Sequence, residues 1–178
     1  VPEVWKTQAL DRIVKLCPEF GPEHDGLTLG IARTTGYTVF RMGNRIPLEL
    51  FVMNVGSQKR TFQFRCAPRV SYSPEVVDSN GQIVRDISGT TVFQPPYSVD
   101  LKPGEACSIP VGGLGIGDQG TSNFEAPTAG RYEMSYRIGT LKSATMRFKV
   151  GTDKEGSFRL DVLDDRWGLR HGSAERIS

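Results

Sequence analysis

Short stretches in which apolar and polar residues alternate, each closed by a glycine, proline or asparagine turn, run through most of this chain. A period of two is typical of β-strands with one buried face. The stretches lie at residues 27–31, 46–52, 62–66, 76–84, 99–111, 132–138, 144–150 and 158–162. With 20 glycines and 11 prolines in 178 residues, the chain is too rich in turns for a helical bundle. The pattern predicts an all-β protein.

One segment follows a helical period instead. In residues 2–17 a helical spacing relates Trp5, Ala9, Ile13, Leu16 and Cys17, and Pro18 ends the pattern. Because no helical pattern lies between the strands, a parallel α/β fold is excluded. We therefore expect an antiparallel immunoglobulin-like β-sandwich of about seven to nine strands, with a small barrel as the alternative.

This reading divides the chain into three parts. Residues 1–22 are the expected N-terminal helix and linker, residues 23–163 the sandwich, and residues 164–178 a C-terminal tail of low apolar content. We expect the end of that tail to be mobile.

The composition argues against several classes of function. Lys and Arg total 22 against 20 Asp and Glu, a net charge of +2, which does not suit a dedicated nucleic-acid binder. No apolar run approaches the about 20 residues of a membrane span. Two histidines and three cysteines leave little material for metal or nucleophilic chemistry. We expect no cofactor and no enzymatic activity.

The cysteines are Cys17, Cys66 and Cys107, an odd number. A chain of this length can build a core without disulfides. Cys66 and Cys107 lie on apolar strand faces, where buried thiols occur. We expect all three to be reduced, and one bridge with a free thiol remains the alternative.

Two motifs have simpler explanations than the sites they suggest. Residues 115–120 match G-x-G-x-x-G by letter, but no helix pattern follows, as a dinucleotide site requires. A copper site on a sandwich would need two histidines near a cysteine. His24 and His171 lie at opposite ends of the chain.

Phe51 and Met53 are apolar residues on the face of their strand that should point away from the core of the sandwich. Alternation puts them opposite Leu50 and Val52. Either the amphipathic N-terminal helix covers them or they form an exposed contact site. We favour the helix, because its own apolar stripe also needs a partner.

A basic face is the first candidate binding surface. In an immunoglobulin topology the strands at residues 62–66, 131–138 and 144–150 share one sheet. Their outward side chains include one carboxylate, Glu133, and five cations, which are Arg65, Arg131, Arg137, Arg147 and Lys149. The simplest explanation is a solvated surface, and the functional one is a docking surface for an acidic protein or an anionic polymer. In the second case, charge reversal at Arg137 and Arg147 together should abolish binding.

Several motifs resemble those of a known family. The runs YTVFRMGNRIPLELFVMN at 37–54, LKPGE at 101–105 and AGRYEMSYRI at 129–138 resemble the strand starts and turns of bacterial Ig-like modules. FGPEHDGLTLGI at 20–31 is similar to a segment ahead of such modules in surface-anchored bacterial proteins, some attached to sensor metalloproteases. The intracellular proteinase-inhibitor family has a similar strand pattern.

The resemblance implies a fold and a location more than an activity. It covers about residues 20–150, and Phe20 stands where the pattern prefers Trp. No His-Glu-x-x-His motif is present, so no catalytic residue is carried over. The implied location is extracytoplasmic, in the periplasm or at the cell surface, with the cytoplasm as the alternative.

Three classes of function follow as hypotheses. The first is a non-catalytic interaction or sensing module that uses the basic face or the glycine-rich loop at 112–129. The second is a proteinase inhibitor, in which that loop or the proline-stiffened segment 92–97, with Phe93 and Tyr97, enters a protease cleft. The third is a carbohydrate-binding module, for which Tyr97, Trp5 and Trp167 are the available aromatic residues. The expected partner is a protein or an anionic polymer, and the oligomeric state is left open.

Overall fold

Strands make up most of the structure, together with one short helix. The computed structural model describes residue 6 and residues 8–42, 46–64, 74–84, 97–109 and 128–152. The helix is α1 (Ala9–Leu16). The strands are β1 (Glu19–Phe20), β2 (Leu27–Arg33), β3 (Val39–Arg41), β4 (Leu48–Asn54), β5 (Arg60–Phe64), β6 (Pro74–Asp78), β7 (Ile83–Val84), β8 (Tyr97–Leu101), β9 (Ala106–Ile109), β10 (Gly130–Ile138), β11 (Leu141–Lys142) and β12 (Met146–Gly151). The all-β class is confirmed.

Of the three expected parts of the chain, the structure describes most of the first and much of the second. β1 lies within the segment 1–22 that was expected to be a helix and linker. The strand expected near 158–162 and the C-terminal tail 164–178 lie outside the described residues.

The first sheet has the order β1-β2-β4-β9, and its neighbouring strands are antiparallel. Most residues of β2 and β4 are buried irrespective of the face on which they lie. Both faces of the sheet are therefore covered, one by the second sheet and the other by α1.

The second sheet has the order β3-β12-β10-β6-β7, with β11 paired to β10. The β3–β12 pair is parallel, a departure from the expected antiparallel sheet. A hairpin turn joins the antiparallel strands β6 and β7. The Asp78 carboxylate accepts hydrogen bonds from the backbone N–H of Asn80 and Gln82 at 2.8 and 2.9 Å, and Gly81 has φ +76°, a conformation that favours glycine.

β5 pairs with β8 and not with the second sheet. The sequence predicted that β5 shares one sheet with the strands at 131–138 and 144–150. β10 pairs instead with β6, β11 and β12, so that prediction is wrong. Alternation assigns a face to each residue of a strand, but it does not identify the strand that lies next to it.

One continuous core joins the two larger sheets and the β5–β8 pair. Among its fully buried side chains are Leu29 and Leu50 from the first sheet and Tyr136 and Phe148 from the second. The rings of Tyr132 and Phe148 stack with their centroids 5.6 Å apart. The inward residues of both sheets meet in this core.

The helix α1 covers the outer side of the first sheet, as the sequence predicted. Phe51 is fully buried in a second cluster with Ala9, Ala32 and Ala106, and Ile13, Leu16, Phe20 and Met53 pack against it. The Arg12 guanidinium also forms an ion pair with the buried Glu49 carboxylate, which accepts a further hydrogen bond from the Ser108 hydroxyl at 2.8 Å. Charge and apolar burial both hold the helix on the sheet.

Candidate functional site

The outward side chains of the second sheet form a surface that we call the outer face. On β10 the buried residues Tyr132, Met134 and Tyr136 point into the core, so Arg131, Glu133 and Arg137 point outward. Cross-strand partners in a sheet share a face. The register therefore places on the outer face the residues Arg147 and Lys149 of β12 and Glu75 of β6.

Four of the seven predicted binding residues lie together on this face: Arg131, Arg137, Arg147 and Lys149. Arg65 and Phe93 lie outside the described residues. Tyr97 is the first residue of β8, away from the second sheet. The long loop at 112–129, with its G-x-G-x-x-G letters, is outside the described residues apart from Thr128 and Ala129.

Three further charged residues of the outer face were not predicted from the sequence. Arg41 lies opposite Gly151 in the parallel β3–β12 pair, and Lys142 of β11 lies opposite Arg137. Glu75 could have been found, since alternation with the buried Pro74 and Val76 turns it outward. The position of Arg41 required knowledge of the parallel register, which alternation does not contain.

Carboxylates neutralise much of the outer face. Arg147 Nε donates a hydrogen bond to Glu133 at 2.8 Å. Glu75 receives Lys142 Nζ and Arg137 Nε, each at 3.0 Å. Hydrogen bonds from Lys142 and then Arg137 lower the pKa of Glu75 below its ordinary value. Arg137 and Arg147, the two residues first chosen for charge reversal, thus already have anionic partners.

One corner of the face has a different charge arrangement. Arg131 lies directly opposite Lys149, and directly opposed side chains have Cβ atoms about 4.5–5.5 Å apart. Arg41 pairs with Gly151, two residues beyond Lys149 on β12 and on the same face. All three side chains are exposed. We call these three residues the cationic corner. The register thus brings three cationic side chains close together on one part of the outer face.

The described residues offer little else for chemistry. They contain no group of three His, Cys, Asp or Glu side chains that could hold a metal ion. The described part of the chain also has no helix long and apolar enough to cross a membrane.

Both described cysteines are free thiols, Cys17 exposed and Cys107 buried, and Cys66 lies outside the described residues. Cys17 was expected on the apolar face of the helix. It instead forms the C-cap of α1, in the left-handed region with φ 47°. Burial raises the pKa of Cys107 to about 12. The thiolate is the nucleophilic form, so burial disfavours the reactive form of Cys107 at neutral pH.

The two thiols should differ in reactivity. In the native protein at neutral pH we expect iodoacetamide to modify Cys17 but not Cys107, and both to react in urea. Peptide mapping by mass spectrometry measures this difference. Modification of Cys107 at the same rate as Cys17 in the native protein would contradict its burial.

The raised pKa of Cys107 also gives a pH dependence. Above its ordinary pKa of about 9 the thiol ionises in the unfolded chain but not in the native one, whose pKa is about 12. The free energy of unfolding should therefore fall as the pH rises between these values. Urea unfolding at about pH 8 and about pH 10 should show a smaller fall for Cys107→Ala than for the unsubstituted protein.

Two comparisons with known proteins, by family model and by sequence, identify no family or function for this chain. No protein-family model matches the chain, and no curated protein matches it.

Proposed function

We propose that this chain is a non-catalytic, immunoglobulin-like interaction module that binds an anionic partner, a protein or a polymer, through the cationic corner. The observation that carries the proposal is the direct opposition of Arg131 and Lys149, with Arg41 close by on the same face. An anionic group bound there would be attracted by all three cations at once. Arginine also offers a planar pair of donors that suits carboxylate and phosphate groups.

The strand order supports an immunoglobulin-like assignment. In that fold one sheet contains strands A, B and E as neighbours, and the other contains G, F, C and C′. The orders β2-β4-β9 and β12-β10-β6-β7 correspond to these two sequences of strands. The core between them is made by the inward residues of both. The β5–β8 pair and the parallel strand β3 are additions to this plan.

The density of positive charge is the reason for choosing the corner. Arg131 and Lys149 are cross-strand neighbours, and Arg41 lies on the same face. Elsewhere on the face, a ligand at Arg137 or Arg147 must compete with Glu75 or Glu133. Electrostatic attraction from the whole face can speed the encounter, while the corner holds the bound group.

The test is a neutralisation at the corner, Arg131→Gln with Lys149→Gln. The probes are dextran sulfate and poly-glutamate, and the dissociation constants are measured by titration calorimetry at low and physiological salt. We expect the double variant to bind at least about tenfold more weakly, corresponding to about 1.4 kcal/mol. Added salt should weaken binding by the unsubstituted protein and reduce this difference.

The matched control is Lys15→Gln with Lys102→Gln. It removes the same two charges at exposed positions of α1 and of the β8–β9 turn, away from the outer face. We expect it to change the affinity less than about threefold. An equal loss in both double variants would mean that net charge alone governs binding, and no binding of either probe by the unsubstituted protein would overturn the proposal.

A further inference from the structure

The turn between β6 and β7 contains an asparagine that is followed by a glycine. Of the four asparagines in the chain, only Asn80 precedes a glycine. Asn80 and Gly81 are both exposed at the end of the hairpin, and a Cβ added to Gly81 would meet no described atom within 4 Å. Because glycine has no side chain, the backbone nitrogen next to the Asn80 side chain is not crowded by its own residue.

An asparagine side chain can react with the backbone nitrogen of the residue that follows it. Here the Gly81 nitrogen would lose its proton and bond to Cγ of Asn80, and the side-chain nitrogen would leave as ammonia with that proton. The product is a cyclic imide. Water then opens the ring at either of its carbonyl carbons, which gives aspartate or isoaspartate. One water is consumed and one ammonia is released, so the reaction needs no enzyme, oxidant or other reactant.

Hydrogen bonds to Asp78 restrain the reacting groups in the folded turn. The Gly81 N–H donates to the Asp78 backbone carbonyl at 3.0 Å, which closes a β-turn. The Asp78 carboxylate accepts the N–H groups of Asn80 at 2.8 Å and of Gln82 at 2.9 Å. While these bonds are made, the Gly81 N–H is occupied and the peptide group between Asn80 and Gly81 has a fixed orientation. Attack on Cγ therefore requires the turn to open.

The position of β7 makes such an opening accessible without global unfolding. β7 contains only Ile83 and Val84, and it pairs with β6 through two cross-strand partners. It is the last strand in the order of the second sheet, and Ile83 is 79% exposed. Segments with few buried contacts open locally at a smaller free-energy cost than the whole domain. The open turn is therefore populated more than the unfolded chain.

We propose that Asn80 is a self-modification site, which the Gly81 nitrogen slowly converts to aspartate and isoaspartate, and that the Asp78 carboxylate sets the rate by holding the turn closed. Isoaspartate adds a carbon atom to the main chain between β6 and β7. This breaks the register that pairs Val77 with Ile83, so the modification releases β7 from the sheet. The reaction needs no ligand at the cationic corner, and either proposal can fail without the other.

The test incubates the full chain in mildly alkaline buffer at physiological temperature and follows each asparagine by peptide mass spectrometry. Electron-transfer fragmentation distinguishes isoaspartate from aspartate. We expect conversion at Asn80, and a higher rate at higher pH because the attacking nitrogen must lose its proton. Asn54 is the internal control, since it is fully buried and its side-chain amide donates to the carbonyls of Gln58 and Leu101 at 2.8 Å. It should stay unchanged.

Three variants separate the role of Asp78 from a general loss of stability. Asp78→Ala removes both carboxylate hydrogen bonds and should speed conversion at least about fivefold, because a larger fraction of the molecules has an open turn. Asp78→Asn keeps an acceptor oxygen and should stay within about twofold of the unsubstituted rate. Asp100→Ala is the matched control. It removes an exposed carboxylate of β8 that accepts hydrogen bonds from Lys59 and Thr61, and it should not alter the rate at Asn80.

Asn80→Gln tests the consequence for β7, because its longer side chain must close a larger ring, which forms far more slowly. After equal incubation, hydrogen exchange should show lost protection of the β7 amides in the unsubstituted protein but not in this variant. The proposal is overturned if Asn80 stays intact, if Asp78→Ala converts no faster than Asp100→Ala, or if β7 keeps its protection in molecules that carry isoaspartate.

Discussion

Substitution of Phe51 by alanine is expected to lower the free energy of unfolding by about 3–5 kcal/mol, the usual cost of removing a buried aromatic ring. Phe51 is fully buried between the first sheet and α1, where Ala9, Ala32 and Ala106 surround it. These alanines have short side chains and cannot close the cavity that the ring would leave. Urea denaturation followed by circular dichroism measures the change.

The position of Phe51 gives this prediction a second readout. Because the ring contacts α1, its loss should reduce the hydrogen-exchange protection of the helix more than that of β10. Val55→Ala serves as control, since Val55 is 49% exposed at the end of the same strand and should cost less than about 0.5 kcal/mol. A similar small cost for Phe51→Ala would mean that the helix does not rest on this ring.

The burial of Phe51 under the helix was predictable because two sequence patterns, one of a strand and one of a helix, each required an apolar partner. The period of two in β4 assigned Phe51 and Met53 to the face away from the core, and the helical period of α1 required an apolar partner. Each pattern alone left a surface unburied. Together they specified a contact between segments about 40 residues apart, which the structure confirms.

The neighbours of β5 were not predictable in the same way. The alternation of Thr61, Phe62 and Gln63 correctly separates the buried residue from the exposed ones. It is satisfied equally well beside β10 or beside β8, because both places offer a core on one face and solvent on the other. The choice depends on contacts distant in sequence, which a local pattern does not contain.

The candidate site was predictable only in part, because alternation assigns a face to each residue but does not identify the neighbouring strand. Alternation identified Arg131, Arg137, Arg147 and Lys149 as outward, and the register confirms that they share a face. It did not predict the ion pairs to Glu75, because these depend on the position of β6 beside β10.

Substitution of Gly21 by alanine is the second large effect that we expect. An added Cβ would lie 1.9 Å from the backbone oxygen of Lys142 and 2.8 Å from the carbonyl carbon of Ser143. Backbone cannot rotate away as a side chain can, so β1 and β11 would have to separate. We expect a loss of about 3 kcal/mol, the upper part of the usual range for overpacking, measured by urea denaturation.

The local hydrogen bonds explain why Gly21 cannot simply shift. Its N–H donates to the carbonyl of Leu29 at 2.9 Å, and its own carbonyl accepts the Thr28 hydroxyl at 2.8 Å. Gly130→Ala is the matched control, because among the described residues its Cβ would meet only the Tyr132 ring, at 3.8 Å. We expect that variant to change stability by less than about 1 kcal/mol in either direction. Equal effects at both glycines would contradict the close approach of the two sheets at Gly21.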